Sequence, residues 1–336
     1  LPHLEPASVT KIMTLMLTME AIDSGTIGYD DVVTVSAAAA GMGGSQVYLA
    51  EGEKITVEEL LKSVCVASGN DAAVALAERV AGVHELFVEQ MNRRASELGM
   101  ADTHFVNCTG LDDDDSAKLH RTSAYDIALM SRELLKNHPD IKKYTTIWMD
   151  TVRNGAFGLS NTNKLIRFYP GATGLKTGYT AGAGYCLSAS AQKEGMELIA
   201  VVMGAKTSQA RNAACKELLD YGFANFAVVA PEPEELPQVA VRLGKQTQVP
   251  VKIEETAGML IEKSQRSGIT TEISLEDSVA APVVRGQTLG SLSVKSGEQT
   301  LRQIPLVAAE DVERLSTGDI FLAVLRRAAM AKEGQE

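Results

Sequence analysis

The acidic stretch Pro231-Glu232-Pro233-Glu234-Glu235-Leu236-Pro237 divides the chain into two parts that follow different hydrophobic periods. Proline fixes φ and carries no N–H, so three prolines in seven residues exclude helix and interior strand and favour an extended connector. Before it, apolar residues recur mostly every three or four positions. After it they alternate in short runs. At 336 residues the chain exceeds the size at which one core usually stops growing, so two domains are expected. The expected boundaries are 1–230 for the larger domain, 231–237 for a linker, 238–318 for a β-rich domain and 319–336 for a terminal helix.

Within the first part, Ser8 to Ile22 reads as a helix whose apolar face is Ile12, Leu15, Met16, Met19 and Ile22. Thr56–Val66, Asn70–Ala81, Phe87–Leu98 and Ser123–Leu135 read as further helices, the alanine-rich 70–81 segment as a central, tightly packed one. Gly184–Ala191 and Met196–Met203 read as a β-hairpin, and Gln209–Tyr221 returns to helix. Beyond the prolines, Val239–Leu243, Val249–Ile253, Val283-Val284 and Leu292–Val294 read as short strands. In the terminal helix, Ile320, Phe321, Val324, Leu325 and Ala328 oppose Arg326, Arg327 and Lys332, a pattern that suits either a packed helix or an interfacial one.

Charge removes whole classes of function. The formal net charge is -11 and no basic run could track a phosphate backbone, so nucleic acid is excluded as an expected partner. Cys65, Cys108, Cys186 and Cys215 form no C-x-x-C pair, and no metal or cofactor is expected. They read as small buried hydrophobes, with their disulfide state open. No apolar run has the length of a membrane span. The chain starts at Leu1-Pro2-His3, so a processed or truncated N-terminus is expected.

Three short motifs can carry chemistry. In Ser8-Val9-Thr10-Lys11 the serine and lysine share a helix face. A hydroxyl needs a base to become a nucleophile, and lysine can be that base only if burial or a nearby cation lowers its pKa. Ser68-Gly69-Asn70 lies between two helices, where it could present a hydroxyl and an amide to a cleft or simply cap a helix. Lys176-Thr177-Gly178 stands just before Tyr179 and the hairpin, offering a cation, a hydroxyl and a position without a side chain. The same spacings recur at Ser190–Lys193 and Lys295-Ser296-Gly297, where a hairpin and a turn are expected.

Taken together and in this order, the motifs are the S-x-x-K, S-x-N and K-T-G set of penicillin-binding proteins. The chain resembles the low-molecular-weight members, the serine D-alanyl-D-alanine carboxypeptidases. Pro6–Thr14, Val66–Ala72 and Gly174–Thr180 carry the resemblance, with Gly69 at the middle of the second motif; Asn107–Leu111 and Thr122–Asp126 extend it. It implies an α+β catalytic domain of the penicillin-binding/β-lactamase type, an antiparallel sheet with helices on both sides, followed by a small all-β domain. It implies that Ser8 forms an acyl-enzyme, that Lys11 is its general base, and that Ser68 and Asn70 relay protons and position the substrate amide. Lys176 and Thr177 would hold the terminal carboxylate beside Gly178, the N–H groups of Ser8 and Tyr179 would form an oxyanion hole, and Arg211 is either a further carboxylate ligand or an ordinary helix arginine.

The implied substrate is the peptidoglycan pentapeptide, the implied inhibitors are β-lactams, and the implied place is the bacterial cell envelope. The protein would be secreted or held at the outer face of the cytoplasmic membrane, with peripheral contact through the C-terminus. Family members carry strands before the nucleophile helix, whereas seven residues precede Ser8 here. A β-lactamase and a penicillin-sensing or wall-binding protein that does not turn over are the alternatives. No segment after Asn70 clearly supplies the glutamate that class A β-lactamases use to position water.

Overall fold

The structure, a computed structural model, describes residues 4–112, 118–230, 235–254, 258–322 and 324–325. Its apolar side chains gather into separate cores on either side of residue 225, and the chain divides into two units, Leu1–Ala224 and Asn225–Glu336.

In the first unit the alternating pattern becomes three antiparallel strands, β1 (Ala172–Thr180), β2 (Gly184–Lys193) and β3 (Met196–Ala205), in the order β1-β2-β3. Alternation decides which face each residue serves. Leu187, Ala189, Ala191 and Ala200 join Cys215 and Leu219 in the core on one face; Ile199, Val201 and Met203 pack on the other. Glu194 and Gly195 close the β2–β3 hairpin with φ of 48° and 75°, the twist that a two-residue turn needs. The hairpin runs longer than its apolar core, because polar ends such as Gln192 and Lys193 still pair along the ladder.

Helices cover both faces. A 3-10 turn, Ala7–Thr10, leads into α1 (Lys11–Asp23). The single apolar face expected for α1 is replaced by burial almost all round, with Met13 and Leu17 covered like Ile12 and Met16. The helix runs through the middle of the unit, and Thr14 and Thr18 satisfy their hydroxyls on the carbonyls of Cys108 and Thr14. Around it lie α2 (Val57–Ala67), α3 (Asn70–Ala81), α4 (His84–Glu97) and α5 (Ala124–Asn137). Thr56 and Glu59 form a reciprocal capping box at the start of α2, and Ser123 caps α5. Ala72, Ala73, Ala75 and Ala77 are buried, so α3 approaches its neighbours closely, as a central helix must. The last helix of the unit, α6 (Ser208–Asn225), buries Arg211, Cys215 and Leu219.

The second unit is built from strands. One sheet runs in the order 251–253, 299–308, 288–296, 269–275, all antiparallel; another joins 248–249, 239–242 and 278–280. Residues 226–229 pair with 259–262. Val239, Val249, Leu292, Val294 and Leu306 form its core. Lys295 and Ser296 end one strand of a hairpin and Gly297, at φ 58°, makes its turn. Val283 makes only an isolated bridge to Val312, since Pro282 removes a ladder donor. Residues 231–234 of the expected linker, and 326–336 of the expected terminal helix with Arg326, Arg327, Ala328 and Lys332, lie outside the described residues. Helix begins at residue 317, where the Asp319 N–H donates to Ser316 Oγ. Among the described residues no helix is long and apolar enough to cross a membrane.

Candidate active site

Ser8 and Lys11 meet where the 3-10 turn becomes α1. Lys11 Nζ donates to Ser8 Oγ at 2.8 Å and to the Thr109 carbonyl at 2.9 Å, and the lysine side chain is fully buried. Removal from water disfavours the ammonium, and the Lys176 charge adds to that, so Lys11 is held well below the usual lysine value. A lysine whose ammonium form is disfavoured in this way, in contact with a hydroxyl, can act as a base.

The turn before Ser8 is strained. Ala7 adopts φ 47°, a left-handed conformation that costs an ordinary residue free energy and persists only where neighbours enforce it. The neighbour is Gly110, at φ 80°: a Cβ there would lie 1.7 Å from the Ala7 carbonyl oxygen. Asn107 holds this loop by accepting from the N–H groups of Thr109 at 3.1 Å and Gly110 at 2.6 Å. Asn107 and Gly110 together thereby aim the Thr109 carbonyl at Lys11. An asparagine two and three residues before a hydroxyl residue and a glycine is a turn signal legible in the sequence, though its distance from Ser8 hides its purpose.

Ser68 and Asn70 do not cap helices through their side chains. Ser68 ends α2 in the left-handed region at φ 63°, and Gly69 occupies the position before α3. Ser68 Oγ and Asn70 Oδ1 are buried without a hydrogen-bond partner. Unpaired buried polar atoms are costly, so two in one place mark where a ligand supplies the partner. The remaining groups of Asn70 are committed: Nδ2 donates to the Gly43 carbonyl and the backbone N–H to the Ser45 carbonyl, both at 2.7 Å.

Asp71 is a site residue that reading the motif alone passes over. Its fully buried carboxylate accepts from the N–H groups of Val47, Leu49 and Ala72 at 2.9–3.1 Å. It fixes the loop whose carbonyls hold Asn70. The signal was a carboxylate in the first turn of a helix whose next six residues, 72–77, are all apolar.

Lys176, Thr177 and Gly178 lie inside β1 rather than ahead of the hairpin, because β1 is the edge strand of the sheet and pairs with β2 throughout. Gly178 faces the nucleophile turn; a Cβ there would stand 3.0 Å from Ser8 N and 3.1 Å from Pro6 O. Any side chain would push the strand away from Ser8. Thr177 Oγ1 shares a hydrogen bond with Thr162 Oγ1 at 2.6 Å. Lys176 is buried, donates to its neighbour's carbonyl at 2.9 Å, and is pushed down to about 7, by burial first and by the Arg211 charge in addition. Arg211 is 5 % exposed, donates to the Cys186 carbonyl at 3.4 Å and lies over the Tyr185 ring at 5.9 Å. This is no surface arginine. Tyr179 turns its ring outward against Tyr185, with centroids 4.3 Å apart.

Lys176 and Arg211 therefore bring two basic groups to one end of the site, under burial that disfavours the charge of each, an arrangement suited to a carboxylate. The four cysteines are buried free thiols, and burial raises all four. No group of acidic, histidine or cysteine side chains among the described residues could hold a metal ion.

Residues 2–207 match the family described as D-alanyl-D-alanine carboxypeptidase, and residues 230–314 match the family described as penicillin-binding protein 5, C-terminal domain. The D-alanyl-D-alanine carboxypeptidase DacF of Bacillus subtilis is 43% identical over 331 residues, covering 97% of this chain and 83% of the relative. Penicillin-binding protein 5 from Haemophilus influenzae superposes with a TM-score of 0.76 at 31% identity, covering 93% of this chain and 92% of the other. Penicillin-binding protein D2 from Listeria monocytogenes, solved in its ampicillin-bound form, superposes with a TM-score of 0.60 at 32% identity, covering 66% of this chain and 88% of the other.

Proposed function

The chain belongs to the D-alanyl-D-alanine carboxypeptidase family, and on that premise we propose how its residues divide the work of a serine DD-carboxypeptidase. Ser8 Oγ attacks the carbonyl carbon of the penultimate D-alanine of a peptidoglycan stem peptide. Its proton passes to Lys11 Nζ, whose ammonium form burial and Lys176 disfavour. As the tetrahedral intermediate collapses, the amine of the terminal D-alanine leaves with a proton, and an ester to Ser8 remains. Water then attacks that ester, and the acid product and free Ser8 are restored.

The contact that carries this reading is Lys11 Nζ at 2.8 Å from Ser8 Oγ, in a site where burial and Lys176 disfavour the ammonium. Lys176, Thr177 and Arg211 take the terminal carboxylate. An incoming negative charge offsets the burial that holds Lys176 near neutrality, so binding and cation formation support each other. Asn70 Oδ1 accepts from the substrate amide, and Ser68 Oγ passes protons between Lys11 and the leaving amine. The N–H groups of Ser8 and Tyr179 receive the oxyanion, each contributing about 3 kcal/mol to the transition state. Support for this pairing comes from Gly178, which lets the edge strand meet the nucleophile turn.

β-Lactams enter the same geometry as acyl donors and block Ser8. Such a protein works outside the cytoplasm, on the wall. We assign it to the cell envelope, either secreted or held at the outer face of the cytoplasmic membrane through its C-terminus.

Labelled benzylpenicillin tests the assignment of base and nucleophile. Wild type becomes labelled and releases the drug slowly; Ser8→Ala takes no label; Lys11→Ala takes label at least about a thousandfold more slowly at unchanged helical content. Labelling of Lys11→Ala at the wild-type rate removes Lys11 from its role, and rapid release of drug by wild type makes the chain a β-lactamase.

A further inference from the structure

The fold buries Arg211 without giving it a counter-charge among the described residues. Its partners there are all neutral. Asn212 Oδ1 accepts from Nε at 3.1 Å and from Nη2 at 3.0 Å, the Cys186 carbonyl accepts from Nη1 at 3.4 Å, and the Tyr185 ring lies against the guanidinium. A buried charge is ordinarily paired with an opposite one, because burial strips it of its hydration. Burial accordingly pulls Arg211 below the usual arginine value.

Asn212 sets where that charge points. Thr207 starts α6: its carbonyl accepts from the Arg211 N–H and its Oγ1 from the Ala210 N–H, both at 3.1 Å. These bonds fix the backbone, but an arginine side chain keeps rotatable bonds of its own. The Asn212 oxygen grips two N–H groups on one edge of the guanidinium, a place that a carboxylate commonly takes. Here the oxygen belongs to an amide, which orients the group and leaves its charge free. Half-buried, Asn212 lines an open cleft of about 590 Å³ with Gln209 and Lys216, so its side chain can be replaced without opening a core.

We propose that Asn212 is a positioning residue, which holds Arg211 for the terminal carboxylate of the substrate and does so through an amide because a carboxylate in its place would neutralise the arginine. The proposal rests on the reading of Arg211 as a carboxylate ligand and adds the residue that aims it. Asn212→Asp keeps the oxygen acceptor at the same length and adds a negative charge beside Arg211. An asparagine with only a structural role is replaced well by aspartate; one that must stay neutral is not.

The test is kcat/KM for D-alanine release from a peptide ending in D-Ala-D-Ala, with helical content measured for each variant. Arg211→Ala is expected to lower it about a hundredfold, Asn212→Asp about thirtyfold and Asn212→Ala about fivefold. Added to Arg211→Ala, Asn212→Ala is expected to change it less than about twofold, because no arginine is left to position. A smaller loss in Asn212→Asp than in Asn212→Ala, or the same loss from Asn212→Ala with and without Arg211, overturns the proposal and leaves Arg211 its role. If Asn212→Asp does not fold, the coupling between the two alanine variants decides alone. An unchanged rate in Arg211→Ala contradicts the carboxylate reading of Arg211 and the proposal with it. No release by wild type that still takes penicillin label contradicts the carboxypeptidase reading, and the proposal falls with that.

Discussion

At the scale of single residues, the site works by withholding solvation. Lys11 is suited to be a base because its buried amine is attended, among the described residues, by Ser8 Oγ and the Thr109 carbonyl and by no carboxylate. The reactive types and spacing of Ser8 and Lys11 were legible in the sequence, because one helical turn sets their contact. Thr109, which completes that contact, was not, since its approach depends on a loop nearly a hundred residues away. Asp71 was equally hidden: a carboxylate beside Asn70 reads as a helix-start charge until its three backbone donors are seen. We expect Asp71→Ala to destabilise the fold by about 3 kcal/mol, because each buried N–H left without a partner costs about 1–3 kcal/mol. Denaturant unfolding measures this loss. Penicillin acylation should fall as well, as Asn70 loses the loop that holds it; an unchanged rate in the folded variant would separate Asp71 from the site.

At the scale of elements, the catalytic centre is where a helix start, a helix-to-helix junction and an edge strand converge. The α1, α2 and α3 patterns announced themselves through apolar spacing and through the Thr56–Glu59 cap. The Ala172–Thr180 segment did not read as strand, because Lys176 and two glycines, Gly174 and Gly178, break the apolar alternation that marks β2 and β3. The break at Gly178 is functional: without a side chain there, β1 comes close to the turn that holds Ser8. Gly110 is the matching concession on the other side. Gly110→Ala introduces a Cβ at 1.7 Å from the Ala7 oxygen and an unfavourable positive φ, so the nucleophile turn must move. Acylation is expected to drop by about a hundredfold or more, because small displacements of a nucleophile have that effect. Stopped-flow labelling checks this; a rate within twofold of wild type would show that the turn does not depend on Gly110.

At the scale of the molecule, the chain divides between residues 224 and 225, ahead of the acidic prolines at which the sequence changes its hydrophobic period, because residues 226–229 pair with 259–262 in the strand-built unit. The register inside the strand-built unit was less legible, since short runs such as 248–249 and 251–253 pair with partners far along the chain. Stability of the whole carries a pH signature from His120. Buried against Phe105 and joined to Thr10 Oγ1 at 3.0 Å, its imidazole is pushed by burial to about 4 from 6.5. Between those values the unfolded chain holds more protons than the folded one, so stability falls as pH drops through that window. From about pH 7 to about pH 4 this histidine removes about 3 kcal/mol. Unfolding of wild type and His120→Gln across that range should show the variant losing about 3 kcal/mol less; parallel loss in both would place the sensitivity elsewhere.

The central claim, that Ser8 activated by Lys11 cleaves a D-Ala-D-Ala bond, is tested most directly by D-alanine release. A synthetic peptide ending in D-Ala-D-Ala is incubated with wild type and, in parallel, with Ser8→Ala. The account predicts steady release by wild type and none above background by the folded variant. Release at equal rates from both would contradict it, because no other hydroxyl among the described residues stands at a buried lysine amine.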